Sequence, residues 1–279
     1  MLAVFALYPA LETVRLSLHR MVLTMPWLGE DFVGLENYVL LWRDGAMWSS
    51  LAVTLIFVAV TTAVELGAGL VTALVMNESF RWRGIFRAAV LVPWALPTVV
   101  ASQMWRLLFN DRYGFVNYVL YGPSTELYRA WLADPASALA AVMIADIWKT
   151  SSFAALIILA GLQAIDDDLY RAAALDGAGP WRRFRLITLP LLRPALLVAL
   201  LFRTIDAFRV FDLVFVMTQG GPADSTSVLQ FYGYKQLFAY GDMGYGSAVS
   251  TFIFVVILLV SLFYVRFVAP AALSGERRP

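Results

Sequence analysis

Four charged residues recur at every third position of a strongly apolar stretch: Arg203, Asp206, Arg209 and Asp212. Side chains three positions apart are neighbours on a helix, so groups of opposite sign here can pair along it. A charge at the centre of a bilayer costs roughly 2.5–3.5 kcal/mol, which makes lipid a poor environment for them. Two interpretations stay open: a polar path that hydrogen-bonds a hydroxyl-rich solute, or a structural ladder of ion pairs facing a neighbouring subunit.

Polar groups also interrupt the other apolar stretches, at Glu65, Lys149, Thr150 and Ser250. Lys149 could line the same path, or extend toward the membrane surface and pair with a carboxylate such as Asp146. Ser250 belongs to a run of small and hydroxyl residues, 244–251, which favours close helix packing and also offers hydroxyls to a solute. The candidate path residues are Asp206, Arg209, Asp212, Lys149, Thr150 and Ser250.

Several kinds of reactive site are excluded by the residues the chain lacks. There is no cysteine, and His19 is the one histidine, so a thiolate or histidine metal site is not expected. A phosphate-binding loop ends in Gly-Lys-Ser/Thr, whereas Lys149 and Lys235 follow Trp148 and Tyr234. We therefore expect no catalytic residue, no metal and no bound cofactor. The net charge of +1 gives no reason to expect a nucleic-acid partner.

The elements that must hold these residues are membrane-spanning helices. The chain is 61% hydrophobic and only 15% charged, with a mean hydropathy of +0.72, where a soluble domain carries nearer 25% charged residues. Crossing a bilayer takes about 20 apolar residues. The sequence predicts an all-α, polytopic membrane protein with six spans, at about 1–18, 48–76, 85–108, 136–162, 193–217 and 246–268. The first ten residues lack a basic region and a cleavage site, so they begin a retained span.

Basic residues set the orientation of these spans. With both termini in the cytoplasm, eleven arginines fall on the inner side and six basic residues on the outer side, as the positive-inside rule requires. The inner set is Arg81, Arg83, Arg87, Arg171, Arg182, Arg183, Arg185, Arg193, Arg266, Arg277 and Arg278, and the outer set is Arg20, Arg43, Arg106, Arg112, Arg129 and Lys235. Aromatic residues are dense in the outer loops 20–47 and 109–135, which suits an interfacial belt or a docking surface.

The inner loop 163–192 holds the most distinctive pattern in the chain. Residues 170–176 favour a helix, Gly177 and Gly179 end it, and Pro180 prevents its continuation. The sequence predicts a short surface helix beside the membrane, with small residues where a partner can approach closely. The other inner loop, 78–87, is a second candidate contact.

This loop resembles the cytoplasmic loop of permease subunits in binding-protein-dependent ABC importers, whose pattern is Glu-Ala-Ala, then Asp-Gly-Ala, then Ile-x-Leu-Pro. The matching residues are Ala172, Ala173, Asp176, Gly177, Ala178, Ile187, Leu189 and Pro190. Arg171 departs from the pattern, because the family usually has Glu there. Thr218-Gln219-Gly220-Gly221-Pro222 is similar to an outer turn of the carbohydrate-importing subgroup, and residues 34–38 resemble the loop after its first span.

The resemblance implies the type I importer fold, with 1–279 as one permease domain in the bacterial plasma (inner) membrane. It implies five kinds of partner: a second homologous permease, two ATPase subunits that bind ATP and Mg²⁺, an extracytoplasmic solute-binding protein, a sugar, and membrane lipid. In the family the loop forms a coupling helix that docks on an ATPase subunit. Carried over, the coupling residues are Tyr170, Arg171, Ala172, Ala173, Leu175, Asp176, Gly177 and Ala178. Arg209 and Asp212 become the favoured solute contacts.

Two other functions remain as alternatives. An ion-coupled secondary transporter would use the charges of the fifth span as a relay and would work without an ATPase. A non-transporting scaffold would leave those charges without a purpose. Within the resembled family, the Arg- and Ala-rich, Lys-poor composition suggests a disaccharide system of a high-GC actinobacterium, such as the mycobacterial trehalose importers. No residue identifies the sugar.

Overall fold

Long apolar runs without breakers become long helices in the computed structural model, which describes residues 2–268. The α-helices are Leu2–Ser17, Glu36–Arg43, Gly45–Asn77, Arg83–Ala95, Thr98–Leu108, Phe115–Tyr121, Pro135–Gln163, Asp167–Leu175, Pro180–Arg183, Leu189–Leu191, Arg193–Phe208, Asp212–Met217, Leu229–Tyr234 and Met243–Phe263. Short 3₁₀ helices lie at Pro26–Leu28 and Thr125–Leu127, and π-helical turns at Phe184–Thr188, Lys235–Ala239 and Tyr264–Val268. Two-residue strands, His19–Arg20 and Asp31–Phe32, pair antiparallel with His19 opposite Phe32.

Three of these helices are long and apolar enough to cross a membrane: Gly45–Asn77, Pro135–Gln163 and Met243–Arg266. Two bent helix pairs raise the count among the described residues to five. The helix Leu2–Ser17 has 16 residues, fewer than the roughly 20 that a span needs. A mostly helical membrane protein is thus confirmed, whereas the sixth span and the side of each terminus stay predictions.

The third predicted span, 85–108, is a bent pair of helices rather than one straight helix. Helices Arg83–Ala95 and Thr98–Leu108 meet at a 93° bend. Leu96 lies before Pro97 and is extended, with φ −70° and ψ 137°, because the proline ring disfavours helical geometry in the preceding residue. The two helices together still have the length and composition of one span.

The expectation that one helix carries all four charged residues of the fifth span is wrong. The helix Arg193–Phe208 ends before Arg209, and the next helix begins at Asp212. Arg203 and Asp206 therefore share a helix, while Arg209 lies in the break.

The chain divides into two compact units. Of the described residues, the first contains 2–57, 106–142 and 208–259. Its core contains Leu41, Met47, Leu229, Tyr232 and Tyr245.

The second unit contains 58–105, 143–207 and 260–268 of the described residues. Its core surrounds Ile158 and Leu192, which are fully buried. A Cβ atom on Gly161 would lie 2.4 Å from Cβ of Ala195, and one on Gly69 would lie 2.9 Å from Cβ of Ala154. Small residues thus allow these helices to pack closely, as is usual between membrane helices.

Candidate functional site

The short helix predicted at residues 170–176 is present as Asp167–Leu175. It begins at Asp166, whose carboxylate accepts a hydrogen bond from the backbone N–H of Asp168 at 2.9 Å and so caps a free donor of the first turn. It ends in a Schellman motif: Ala178 N–H donates to the Ala173 carbonyl and Gly177 N–H donates to that of Ala174. Gly177 has φ +77°, the left-handed conformation that favours glycine. The helix limits follow from local sequence.

This helix presents a mixed polar and apolar surface. Of the predicted coupling residues, five are exposed and three are half-buried: Arg171, Ala172, Leu175, Asp176 and Gly177 in the first group, Tyr170, Ala173 and Ala178 in the second. The side chain of Leu175 is 90% exposed and that of Trp181 72%. The Arg171 guanidinium lies 3.0 Å from the Asp168 carboxylate, so it forms an exposed ion pair within its own helix.

An open cavity of about 820 Å³ adjoins this helix in the second unit. Glu78, Arg83 and Arg183 contribute charged side chains to its lining. The Tyr170 hydroxyl, at one wall, lies 2.9 Å from Oγ1 of Thr188. The Nε atoms of Arg83 and Arg183 have no hydrogen-bond partner within residues 2–268. The surface beside the helix is therefore concave, and two of its arginines have unused donors.

Arg203 is the centre of a buried ion-pair cluster, the Arg203 cluster. Its side chain is 1% exposed. Nε lies 2.5 Å from Oε2 of Glu65, Nη1 lies 2.5 Å from Oδ2 of Asp206, and Nη2 lies 3.3 Å from Oδ2 of Asp146. Thr150 Oγ1 donates to the second oxygen of Glu65 at 2.6 Å. One guanidinium thus links three helices of the second unit.

The energetic role of this cluster follows from its burial. Glu65 is 0% exposed and Asp146 8%, so both carboxylates depend on Arg203 for compensation. Removing one partner from such a buried pair typically costs about 3–5 kcal/mol. Asp206 differs, because its side chain is 70% exposed. Arg203, Glu65 and Asp146 therefore form the buried part of the cluster, and the carboxylate of Asp206 lies at its exposed edge.

Lys149 forms hydrogen bonds to the backbone at the bend in the third predicted span. Its Nζ donates to the backbone carbonyl of Leu96 at 3.0 Å and to that of Trp94 at 3.4 Å. The bend at Pro97 frees these carbonyls from helical hydrogen bonding, and a lysine can satisfy them. Lys149 is 8% exposed and therefore lies inside the second unit.

Of the other candidate path residues, the structure brings Asp206 and Thr150 into the Arg203 cluster. Arg209 and Asp212 are exposed and form no ion pair with any residue between 2 and 268. Ser250 is half-buried, and its hydroxyl donates to the Gly246 carbonyl at 2.9 Å.

Asp146 was a candidate partner of Lys149 in the sequence, but the structure places its carboxylate 3.3 Å from Arg203, while Lys149 donates to backbone carbonyls. Glu65 had no assigned partner, although it had a signal. Glu65 is the one charged residue of the helix Gly45–Asn77. An isolated acidic residue in an apolar span needs a counter-ion, yet spacing along the chain cannot reveal that the counter-ion lies 138 positions away.

A second polar cluster, in the first unit, was not predicted at all. Oδ2 of Asp44 accepts hydrogen bonds from the hydroxyls of Tyr232 and, at 2.6 Å, Tyr245. Oδ1 accepts from the backbone N–H of Ala46 at 2.9 Å and of Met47 at 3.4 Å. Burial opposes the charged form of Asp44, but these four donors outweigh it and hold its pKa below the usual value. Burial and the adjacent carboxylate raise the pKa of Tyr232.

The Gly-Gly-Pro turn is held by its own side chains. The hydroxyls of Thr218 and Thr226 lie 2.7 Å apart, and Thr226 donates to the Gly221 carbonyl at 2.8 Å. Gly220 has φ +83°, and a Cβ there would lie 2.6 Å from the Phe231 ring. Only glycine meets both demands, so the motif is a packed chain reversal.

Comparison with known proteins supports one family. The chain matches the family described as "Binding-protein-dependent transport system inner membrane component" over residues 65–273. It is 44% identical to the "Trehalose/maltose transport system permease protein MalF" of Thermococcus litoralis, covering 94% of this chain and 88% of that protein. It is 40% identical to the "Trehalose transport system permease protein SugA" of Mycobacterium tuberculosis, covering 99% and 87%.

A solved structure shares the fold. A chain of a bacterial alginate ABC transporter, solved with an alginate pentasaccharide-bound periplasmic protein, superimposes with a TM-score of 0.80 at 21% identity. The match covers 94% of this chain and 88% of that one. At this identity the likeness concerns the fold alone.

Proposed function

The chain belongs to the binding-protein-dependent transport system inner membrane components, and we propose that it is a pore-forming permease subunit of an ATP-driven sugar importer. The observation that carries the proposal is the exposed helix Asp167–Leu175, closed by a Schellman motif at Gly177. The two ends of this helix are set by its own cap residues, and most of its surface is exposed within the described residues. Such a helix can transmit force from a partner.

We further propose six spans with both termini in the cytoplasm and 1–279 as one domain in the inner membrane. Five candidate spans among the described residues and the arginine asymmetry support this arrangement. The helix Leu2–Ser17 would supply the sixth, with neighbouring residues completing its apolar length.

The partners would be a second permease, two ATPase subunits and an extracytoplasmic binding protein. ATP and Mg²⁺ would bind to the ATPase subunits, because this chain has no lysine in a phosphate-binding loop. ATP-driven closure of those subunits would press on residues 170–178, and the neighbouring cavity edged by Glu78 and Arg83 offers a second contact. Arg171 already forms an ion pair with Asp168 on its own helix. Docking would therefore not require an acidic group of the ATPase opposite Arg171.

The solute path would use the exposed polar residues of the fifth predicted span. Asp206, Arg209 and Asp212 are exposed and can exchange hydrogen bonds with hydroxyl groups. Thr150 would support Asp206 through the Arg203 cluster, and Lys149 would hold the backbone of residues 94 and 96 in the same unit. Ser250 would contribute its half-buried hydroxyl. The relatives named for trehalose and maltose make a disaccharide the first solute to test.

Reconstitution tests the proposal directly. The chain would be placed in proteoliposomes alone, and then with its genomic-neighbour permease, ATPase and binding protein. We expect ATP-dependent uptake of labelled trehalose or maltose in the complete system only. Uptake by the chain alone, driven by an ion gradient, would overturn the proposal in favour of a secondary transporter.

A further inference from the structure

A polar cavity in the first unit is not used by the proposed coupling helix or by the solute path. Its volume is about 410 Å³, and nine of the residues that line it carry polar or charged groups: Asp44, Ser49, Ser50, Asp224, Ser227, Tyr232, Lys235, Gln236 and Tyr240. Small-molecule pockets in proteins usually have volumes of roughly 300–1,000 Å³. The Ser227 cavity, as we call it, is therefore large enough for a small ligand.

Ser227 supplies the observation that points to a ligand. The residue is 1% exposed, and its Oγ has no hydrogen-bond partner within residues 2–268. A buried hydroxyl without a partner is unfavourable, because it has lost water and gained nothing in return. Ser227 lines the cavity, so a molecule bound there can supply the missing partner once the hydroxyl rotates toward it.

The charged groups of the cavity have hydrogen-bond or ion-pair partners in the folded chain. Nζ of Lys235 lies 2.7 Å from Oδ1 of Asp224. Asp44 is fixed by four donors, including the hydroxyl of Tyr232. These four hydrogen bonds hold Asp44 and Tyr232 in place, so little ordering of that part of the wall is required when a ligand enters.

The sign and mixture of these groups indicate the ligand class. Two carboxylates and one ammonium give a net negative charge, which disfavours anions. The described residues contain no group of three or more His, Cys, Asp or Glu that could hold a metal ion. A sugar hydroxyl both donates and accepts hydrogen bonds, so it matches a wall that offers both functions side by side.

We propose that the Ser227 cavity binds the hydroxyl groups of a neutral sugar, separately from the residues assigned to the translocation path. The choice of sugar rests on the proposed function; the presence of a binding site rests on Ser227 and the charged groups around it. In the proposed orientation the cavity would lie on the outer side, where solute arrives.

Lysine acylation provides a site-specific assay. Lys235 lines the cavity and its side chain is 21% exposed, whereas Lys149, the other lysine of the chain, is 8% exposed. The full complex in nanodiscs would be treated with N-hydroxysuccinimidyl acetate at increasing trehalose or maltose, and acetylation of Lys235 quantified by mass spectrometry. We expect these sugars to protect Lys235 and the anionic sugar glucuronate to protect it less.

Two serines make a matched pair of variants. The hydroxyls of Ser225 and Ser227 are both buried without a partner among the described residues, but only Ser227 lines the cavity. Ser227→Ala should raise the half-protecting sugar concentration about three- to tenfold, the value of one neutral hydrogen bond, without lowering thermal stability. Ser225→Ala should leave the half-protecting concentration unchanged.

The outcomes separate this inference from the proposed function. If the complete system imports sugar but neither trehalose nor maltose protects Lys235, or Ser227→Ala behaves like Ser225→Ala, the Ser227 cavity is not a sugar site. If sugar protects Lys235 through Ser227 but no ATP-driven uptake occurs, the importer function fails and the site stands. Protection by the binding protein without sugar would make the cavity a protein-docking site and overturn the inference.

Discussion

Replacing Arg203 with methionine should destabilise the chain strongly. The substitution keeps a long side chain in the bundle but leaves Glu65 and Asp146, which are 0% and 8% exposed, without their counter-ion. Loss of one partner in a buried pair costs about 3–5 kcal/mol. For chains of 150–250 residues each kcal/mol shifts the melting temperature by about 2–4 °C, so a fall of about 6–20 °C is expected here.

The assay is thermal unfolding of the purified chain in mild detergent, with Arg209→Met as the matched control. Arg209 is an exposed arginine six positions away, with no ion pair inside the described range, so its replacement should change stability by less than about 0.5 kcal/mol. Adding Glu65→Leu to Arg203→Met should recover part of the loss. Equal melting temperatures for Arg203→Met and Arg209→Met would refute the structural role of the Arg203 cluster.

Three further predictions concern the coupling helix, the path and Asp44. Gly177→Asp should uncouple ATP hydrolysis from uptake while the complex still assembles, because φ at Gly177 is +77°, a conformation that a residue with a side chain adopts only under strain. Gly179→Asp is the control, since φ at Gly179 is −66°. Normal solute-stimulated hydrolysis and uptake in Gly177→Asp would refute this prediction. Asp212→Ala should lower uptake while changing the free energy of unfolding by under about 1 kcal/mol, since Asp212 is exposed at the start of a helix. Unchanged transport kinetics would show that Asp212 is not part of the solute path. Asp44→Asn should lower the melting temperature at pH 7, because the pKa of Asp44 is lower in the folded chain than in the unfolded chain. The ionised carboxylate therefore stabilises the fold at pH values above its unfolded-state pKa of about 3.9. This stabilisation is lost as the pH falls through the lower folded-state pKa. A difference between Asp44→Asn and wild type that does not narrow between pH 5 and pH 3 would contradict this.

Features set by neighbouring residues could be predicted from the sequence. Asp166, Gly177 and Pro180 act on the backbone within a few positions of themselves, and the helix Asp167–Leu175 lies where their pattern indicates. The pairing of Arg203 with Asp206, three residues apart, was likewise foreseeable.

Features that depend on the folded chain were missed. Which carboxylates meet Arg203 depends on how three helices pack, and the hydrogen bonds to Asp44 join residues 188 and 201 positions apart. The breaks at Leu96 and Arg209 were missed for a different reason. Hydropathy averaged over a span does not register a local bend, and the carbonyls exposed at Leu96 are satisfied by a lysine from a distant segment.

We propose that the helix Asp167–Leu175 and its C-terminal cap lie at the inner face and contact a partner ATPase, and Leu175 tests this most directly. The chain has no cysteine, and the Leu175 side chain is 90% exposed, so Leu175→Cys creates a single accessible thiol. A membrane-impermeant maleimide should label it in inverted vesicles but not in right-side-out ones, and bound ATPase should protect it. Labelling from the outer side, or labelling that the ATPase leaves unchanged, would contradict the account.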